Sequence, residues 1–368
     1  MAVRPFDLTD IDGVNALHTD INWPAPSTAY WHWLASNPAR GNPARGASPM
    51  GWVIDNDGRI DGFLGNFRQT YFRDSVTFDA ATSHSIIVSP RAKGSLRELI
   101  QPFLAQPDLF AVTILNANDI GSPIYRHYGL QPLASPAHDV KLAWILAPHS
   151  VLLAKALRSV AMRMPALYPL LGERFLPRPR PLFDPRRVAW PVGVRVIEDL
   201  SDNAAFGTFW RQLKEDGALV AGRSPAILRW RLAMPDLTAR PLLLGYYDEQ
   251  GLCAYAMAQL SKFGPLEVVT LEIIDLVAIE RAHDTAIPTL IRALKLAARK
   301  MQAAKLRLPL VSAKTHAALG YKAGLAHNEG GWGHAFAHFN APEAGFTDWQ
   351  PTPFEGSYSF TLRQPPAQ

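Results

Sequence analysis

Few side chains in this 368-residue sequence are of types that do chemistry in company, and most of those few are poorly spaced for it. His327, His334 and His338 lie close together, the last two four residues apart. Gly330, Gly331 and Gly333 interrupt any helix that would aim them at one metal, so loop or strand histidines are the better reading. The one thiol, Cys253, falls in an apolar strand pattern that suits a small buried side chain more than a nucleophile. A single cysteine also allows neither an intrachain disulfide nor a four-cysteine zinc site. No Walker loop and no H-E-x-x-H motif occurs. Three places stand apart. Arg91-Ala92-Lys93-Gly94-Ser95-Leu96 sets two cations and a glycine ahead of an apolar helical pattern. That chemistry suits an anion, since the first N–H groups of a helix are unpaired, glycine allows close backbone approach and lysine adds attraction. His84 lies in the strand pattern just before this turn, and the stretch from Asn118 through Tyr125 to Gly129 follows the next one.

The elements that must hold these residues come twice. Val3-Arg4-Pro5-Phe6 and Val194-Arg195-Val196-Ile197 are 191 residues apart, and each precedes acidic residues and an apolar helical pattern. Trp33 and Pro38 have the spacing of Trp230 and Pro235; Arg91 matches Arg281, and Gly129 matches Gly320. A hairpin is expected in each half, over 51–67 with a turn at Asp57-Gly58 and over 242–260 with a turn at Gln250-Gly251. Strand, helix, strand and short helix then follow at 83–88, 95–104, 110–116 and 122–128, and again at 271–279, 285–300, 305–311 and 315–319. The order strand, helices, hairpin, strand, helix, strand, helix, strand predicts an α/β fold with a mixed sheet and helices on both faces, present as two tandem copies of about 145 residues.

On these residues the chain resembles the GNAT superfamily of acyl-CoA-dependent N-acyltransferases, once per half. Members carry Q/R-x-x-G-x-G/A after the fourth strand, where helix-start N–H groups bind the CoA pyrophosphate. The first half keeps Arg91 and Gly94 with Lys93 and Ser95 but has Leu96 at the last small position; the second keeps Arg281 and Ala286 but places Asp284 where glycine belongs. A carboxylate there repels a pyrophosphate, so the first half is the better CoA site. The later motif, N-x6-Y-x3-G-F, is met by Asn118, Tyr125 and Gly129 with Leu130 for phenylalanine, whereas Pro309 and His316 replace the asparagine and tyrosine in the second half. The resemblance implies that Asn118 contacts pantetheine, that Tyr125 protonates the departing thiolate, and that N–H groups around Ile87 and Val88 stabilise the oxyanion. His84 is a candidate base, placed by alternation on the face of Thr82, Ile86 and Val88, with Asp79 or a water relay as rivals. Catalysis in the second half, with His316 in the tyrosine's place, is the reverse assignment.

Composition bounds the rest. With 48% hydrophobic and 19% charged residues the chain is globular, long enough for two cores. The net charge of +5 is local: eight basic and two acidic residues between Lys155 and Arg187 carry +6, and everything else sums to −1. Seven prolines from Pro165 to Pro191 make that segment an extended connector, giving boundaries at 1–148, 149–192 and 193–368. Just before it, Leu153, Leu157, Val160, Ala161 and Met164 form a helical stripe opposite Lys155, Arg158 and Arg163. The stripe fits either a helix docked on its own domain or, with the apolar run 166–171, a helix on an anionic membrane surface; the second reading favours a lipid amine acceptor such as a sphingoid base, a reaction similar to that of bacterial ceramide synthases. Aromatic residues of the first half could line an acyl channel, although core packing is the default. The alternatives are acetyl transfer to a soluble amine (an amino sugar or amino acid) and an acyl-CoA-binding regulator without catalysis. Nucleic-acid binding ranks behind these, because the cations lie in a proline-rich connector. Acyl-CoA is the expected cosubstrate and no metal is expected. Without a signal-peptide pattern or an apolar run of about 18 residues, the expected location is cytoplasmic, peripheral on the inner membrane face.

Overall fold

The computed structural model describes residues 1–40, 48–164, 175–176, 184–340 and 349–363, Thr361 by its backbone alone. The first repeat contributes β1 (Ala2–Pro5), β2 (Gly51–Asn56), β3 (Arg59–Arg73), β4 (Val76–Val88), β5 (Ala111–Ala117), β6 (Gln131–Pro132) and β7 (Leu142–Ile145). The second contributes β8 (Val194–Val196), a short β9 (Val220–Ala221), β10 (Leu242–Asp248), β11 (Gly251–Ser261), β12 (Thr270–Ala278), β13 (Lys305–Leu308), β14 (His327–Asn328) and β15 (His334–Phe339). They build two mixed sheets, β1-β2-β3-β4-β5-β15-β6 and β8-β10-β11-β12-β13-β7-β14, with β9 added to the edge of β3. The strand orders correspond position by position except that the seventh strands are exchanged: β7 pairs with β13 and β15 with β5. Boundaries at 148 and 193 therefore separate the repeats along the chain but not the sheets in space.

Local chemistry explains the rest of the frame. Asp57 and Gly58 both take positive φ (54° and 86°), the signature of the tight turn whose twist suits a hairpin, so β2 turns directly into β3. Helices α1 (Ile11–Asp20) and α2 (Thr28–Ala35) cover one face of the first sheet, where Val14, Trp31, Phe63 and Phe67 pack together. Helices α3 (Leu96–Leu104) and α4 (Ser122–His127) cover the other face, packing on Trp52, Leu64, Val112 and Ile114. The aromatic residues expected as channel lining mostly fill these cores: Tyr30, Trp31, Trp33, Phe63, Phe67 and Tyr71 are buried, while Trp23 is exposed. The repeats meet at their matched tryptophans. Trp33 and Trp230 stack at 4.3 Å, and each indole donates to the other's backbone carbonyl, at 2.7 and 3.0 Å, as a local two-fold relation requires.

Helix α5 (Pro148–Arg163) lies against the second repeat through Ala154, which packs with Val268 and Ala304, and Ala161 is buried as well. The expected apolar stripe is divided, with Ala161 buried and Leu157 packed inward while its other members face solvent. Ala154 and Ala161, one heptad apart, let the helix approach closely, which leaves Leu153, Val160 and Met164 exposed along with Leu152 and Met162. The run 166–171 and most of the connector lie outside the described residues. No described helix is long and apolar enough to cross a membrane.

Candidate active site

The cleft follows from how β4 and β5 pair. They run parallel for three residues only, Ala80–Thr82 beside Ala111–Thr113, although β4 continues to Val88 and β5 to Ala117. A bulge in β4 opposite Leu64 starts the divergence; Ser85 sits there at φ 51°, an unusual conformation for a residue with a side chain. The C-terminal ends of two neighbouring parallel strands thus splay apart, the place where α/β folds hold ligands. The same splay recurs between β12 and β13.

The bulge also decides which side chains face where. It shifts alternation by one, so Ile87 joins the α1/α2 face with His84 and Thr82, while Ile86 and Val88 turn toward α3. The expectation that His84 shares a face with Ile86 and Val88 is corrected on this ground. Along the strand edge, the Ser89 N–H bonds Asp61 O at 2.8 Å on the β3 side, so the Ile87 N–H points to β3 as well. The Val88 N–H then points into the cleft, where β4 has no partner strand. Of the two expected oxyanion donors, Val88 is the one positioned.

At the mouth, Ser89 caps a single 3₁₀ turn, Pro90–Ala92, by accepting from the Arg91 N–H at 3.3 Å. Ala92 is buried against α3, which leaves Arg91, Lys93 and Gly94 exposed around the helix start. Gly94 has φ 105° and open space where a side chain would stand, and Ser95 precedes the first turn of α3. No ion pair engages Arg91 or Lys93 among the described residues. Arg281, at the matching turn, is tied to Asp248, and Asp284 stands exposed in the first turn of the helix His283–Lys300. The electrostatics favour an anion at the first turn and oppose one at the second.

On the opposite wall, the Asn118 side chain accepts from the Gly121 N–H at 2.7 Å and its carbonyl accepts from Ser122, a closed turn that launches α4. Tyr125 follows one turn later, buried among Leu99, Ile114 and Phe336, with no hydrogen-bond partner for its hydroxyl among the described residues. Burial pushes the phenol up to about 12. Its counterpart His316 is exposed.

His84 is a different case. Its ring lies flat against Gly65, where any side chain would collide with it, and between Phe63 and Phe360. Its Nε2 has no partner and desolvation lowers the imidazole to about 3. The ring is neutral across the physiological range and a weak base. The rival Asp79 bonds Arg68 and Thr70, away from the splay.

Two contributions had no sequence signal. Strand β15 brings His334 to Asp119 (2.7 Å) and Phe336 to Tyr125, so the second repeat completes the wall beside Asn118. Residues 352–360 back the cleft: Thr82 donates to Glu355 O at 3.0 Å and the Tyr358 hydroxyl to Leu115 O, on β4 and β5 where they part. The Glu355 carboxylate accepts from Arg223, which also binds Asp275, and from Trp349. Partners lying 215 to 286 residues apart, as His334 with Asp119 and Glu355 with Gln69 do, leave no local pattern to read.

No known family profile matches the chain, and no characterised protein sequence does. Solved structures do match it in fold. A GCN5-related N-acetyltransferase from Kribbella flavida aligns at TM-score 0.53 and 13% identity over 93% of this chain and 73% of its own. One from Anabaena variabilis gives 0.54 and 13% over 92% and 72%. Saccharomyces cerevisiae N-myristoyltransferase with bound myristoyl-CoA gives 0.54 and 9% over 92% and 82%. The chain has the fold these proteins share.

Proposed function

We propose that the chain is an N-acyltransferase that takes an acyl group from acyl-CoA in the cleft between β4 and β5. The observation that carries this is the cleft itself: an open, cationic helix start at one end and a buried, unpartnered phenol on the inner wall, at a splay present twice but electrostatically permissive once. The exposed Arg91 and Lys93 and the N–H groups of Gly94 and Leu96 would hold the pyrophosphate, the Ser95 N–H being taken by the Ala92 carbonyl, and the turn at Asn118 would border the pantetheine. The Val88 N–H would polarise the thioester oxygen as the amine nitrogen attacks the carbonyl carbon. The C–N bond forms, the C–S bond breaks, and Tyr125 hydrogen-bonds and protonates the leaving sulfur, its phenolate then regaining a proton from water. The apolar surroundings that raise Tyr125 raise a thiol there too, which keeps the two within reach of each other. His84 is too weak a base to take the amine proton, which leaves to water.

For the acceptor, a lipid amine such as a sphingoid base is favoured by one observation. The exposed side of α5 shows Leu152, Leu153, Val160 and Met162 beside Lys155 and Arg163, a surface suited to the anionic inner face of a membrane. A soluble amine is the alternative. One experiment addresses both levels: mass spectrometry of products formed from mixed acyl-CoAs and an amine panel that includes long-chain bases, run with wild type and Tyr125→Phe. The expected result is an amide product whose rate falls about 100-fold or more in the variant while CoA affinity is kept. Unchanged turnover removes Tyr125 from the mechanism. Preference for acetyl-CoA and a soluble amine overturns the lipid acceptor, and CoA binding without any product favours a regulator.

A further inference from the structure

Between the two repeats, on the open edge of β3, lies a cavity of about 240 Å³ that no residue assigned above enters. Phe67, Phe72, Trp210, Ile227 and Trp230 make its walls apolar and aromatic. It reaches solvent between Pro38 and Ala226, both exposed. Its cationic wall is Arg231, on the helix Pro225–Leu232.

Arg231 is a buried charge with no carboxylate in contact with it among the described residues, and Asp275, bound to Arg223, acts on it only from beyond contact. It is 4% exposed, and its two terminal nitrogens donate to neutral oxygens, Ser359 Oγ at 3.0 Å and Phe354 O at 2.9 Å. Its Nε–H has no acceptor, and it makes no ion pair with any described residue. Aromatic faces of Phe67, Phe354 and Phe360 surround the guanidinium at 4.3 to 4.7 Å. Arg223 shows how the same fold treats another buried arginine: Asp275 and Glu355 both bind it. The second cation on the cavity wall, Arg68, is already paired with Asp79. A buried guanidinium without direct ion pairing, and with one N–H left without an acceptor, is costly, and an anion entering the cavity from outside would supply the missing partner.

We infer that the cavity binds a small organic carboxylate with an aromatic or branched aliphatic body, the carboxylate on Arg231 and the body among Phe72, Trp210 and Ile227. The volume is below the roughly 300–1,000 Å³ usual for drug-sized ligands, which limits the occupant to a small molecule. Of the two guanidinium groups on the wall, Arg231 makes no ion pair among the described residues while Arg68 is paired with Asp79, so the wall matches one negative charge better than a phosphate dianion. The site is independent of the acyl-transfer reading and needs no acyl-CoA.

The test is titration of the full chain, without CoA, with phenylacetate, 4-methylpentanoate and phenylacetamide, followed by calorimetry and by the fluorescence of Trp210 and Trp230. At least one acid should bind saturably and at least tenfold more tightly than the amide. Arg231→Gln should erase that preference. Should that variant fail to fold, Ala226→Phe narrows the exposed mouth and leaves the interior untouched; it should weaken acid binding at least tenfold. Absence of binding by both acids, equal binding of acid and amide, or full binding by Ala226→Phe each overturns the proposal.

Discussion

Glu355 carries an acid–base balance that can be measured. Burial raises its carboxyl to about 7, against the pull of Arg223 and Trp349. Two carboxylates, Glu355 and Asp275, share Arg223, so a proton on Glu355 relieves the surplus of negative charge around that arginine. From the ordinary glutamate value of 4.5 up to about 7, the folded chain keeps a proton that the unfolded chain releases. The stabilisation is whole below that window and is lost as pH rises through it, by at most about 1.4 kcal/mol per pH unit. Glu355→Gln cannot ionise, so relative to wild type it should gain stability between pH 5 and pH 8, whatever its starting deficit from a weakened Trp349 bond. Urea unfolding at pH 5, 6.5 and 8 measures this; parallel pH dependence of the two proteins would refute it. The candidate site residues Arg91, Gly94, Asn118 and Tyr125 could be nominated from the sequence because each belongs to a short motif at fixed spacing. Arg223, Asp275 and Glu355 were not, because their meeting depends on three separate elements.

At the scale of the element, one irregular residue shapes the cleft. The bulge at Ser85 turns Ile87 inward, aims the Val88 N–H into the splay and parts β4 from β5. A β-branched side chain at φ 51° is opposed by roughly 1–2 kcal/mol, whereas glycine adopts it freely. Ser85→Val should therefore lower both the melting temperature and CoA affinity, and Ser85→Gly should preserve CoA affinity; calorimetry with CoA distinguishes them, and equal affinity in both variants would sever the bulge from the site. The sequence pattern located both hairpins, the helix α3 and the two strands, β4 and β5, that splay apart to form the cleft. It did not locate the bulge, because alternation was continued through Ser85 without a glycine to interrupt it. It read the apolar stripe of α5 as one face, whereas Leu157 and Ala161 turn inward and Leu153, Val160 and Met164 stay exposed.

For the whole molecule, the repeat was visible at an offset near 191 but the exchange of the seventh strands was not. Leu142–Ile145 and His334–Phe339 are short strands that suit either sheet, and the choice between them is made by tertiary packing. A chain cut within 165–174 should show what that exchange does. Fragments 1–164 and 184–368 would each lack a strand from the middle of a sheet, so each alone should aggregate or melt without a sharp transition. Expressed together they should copurify at 1:1 through β7, β15 and the Trp33–Trp230 stack; a cooperative transition from 1–164 alone would count against interlocked repeats.

The exchange also sets a timetable on the ribosome. The nascent chain completes β5 at residue 117, but the strand that must lie beside it ends at residue 339. Translation at about 5–20 residues per second leaves roughly 10–45 seconds between the two events. Through that interval the edge Ala-Val-Thr-Ile-Leu-Asn-Ala has no native neighbour, a β-rich segment open to strands of other nascent chains on the same message. Chaperone demand during synthesis should accordingly concentrate on the first repeat while the second is being made.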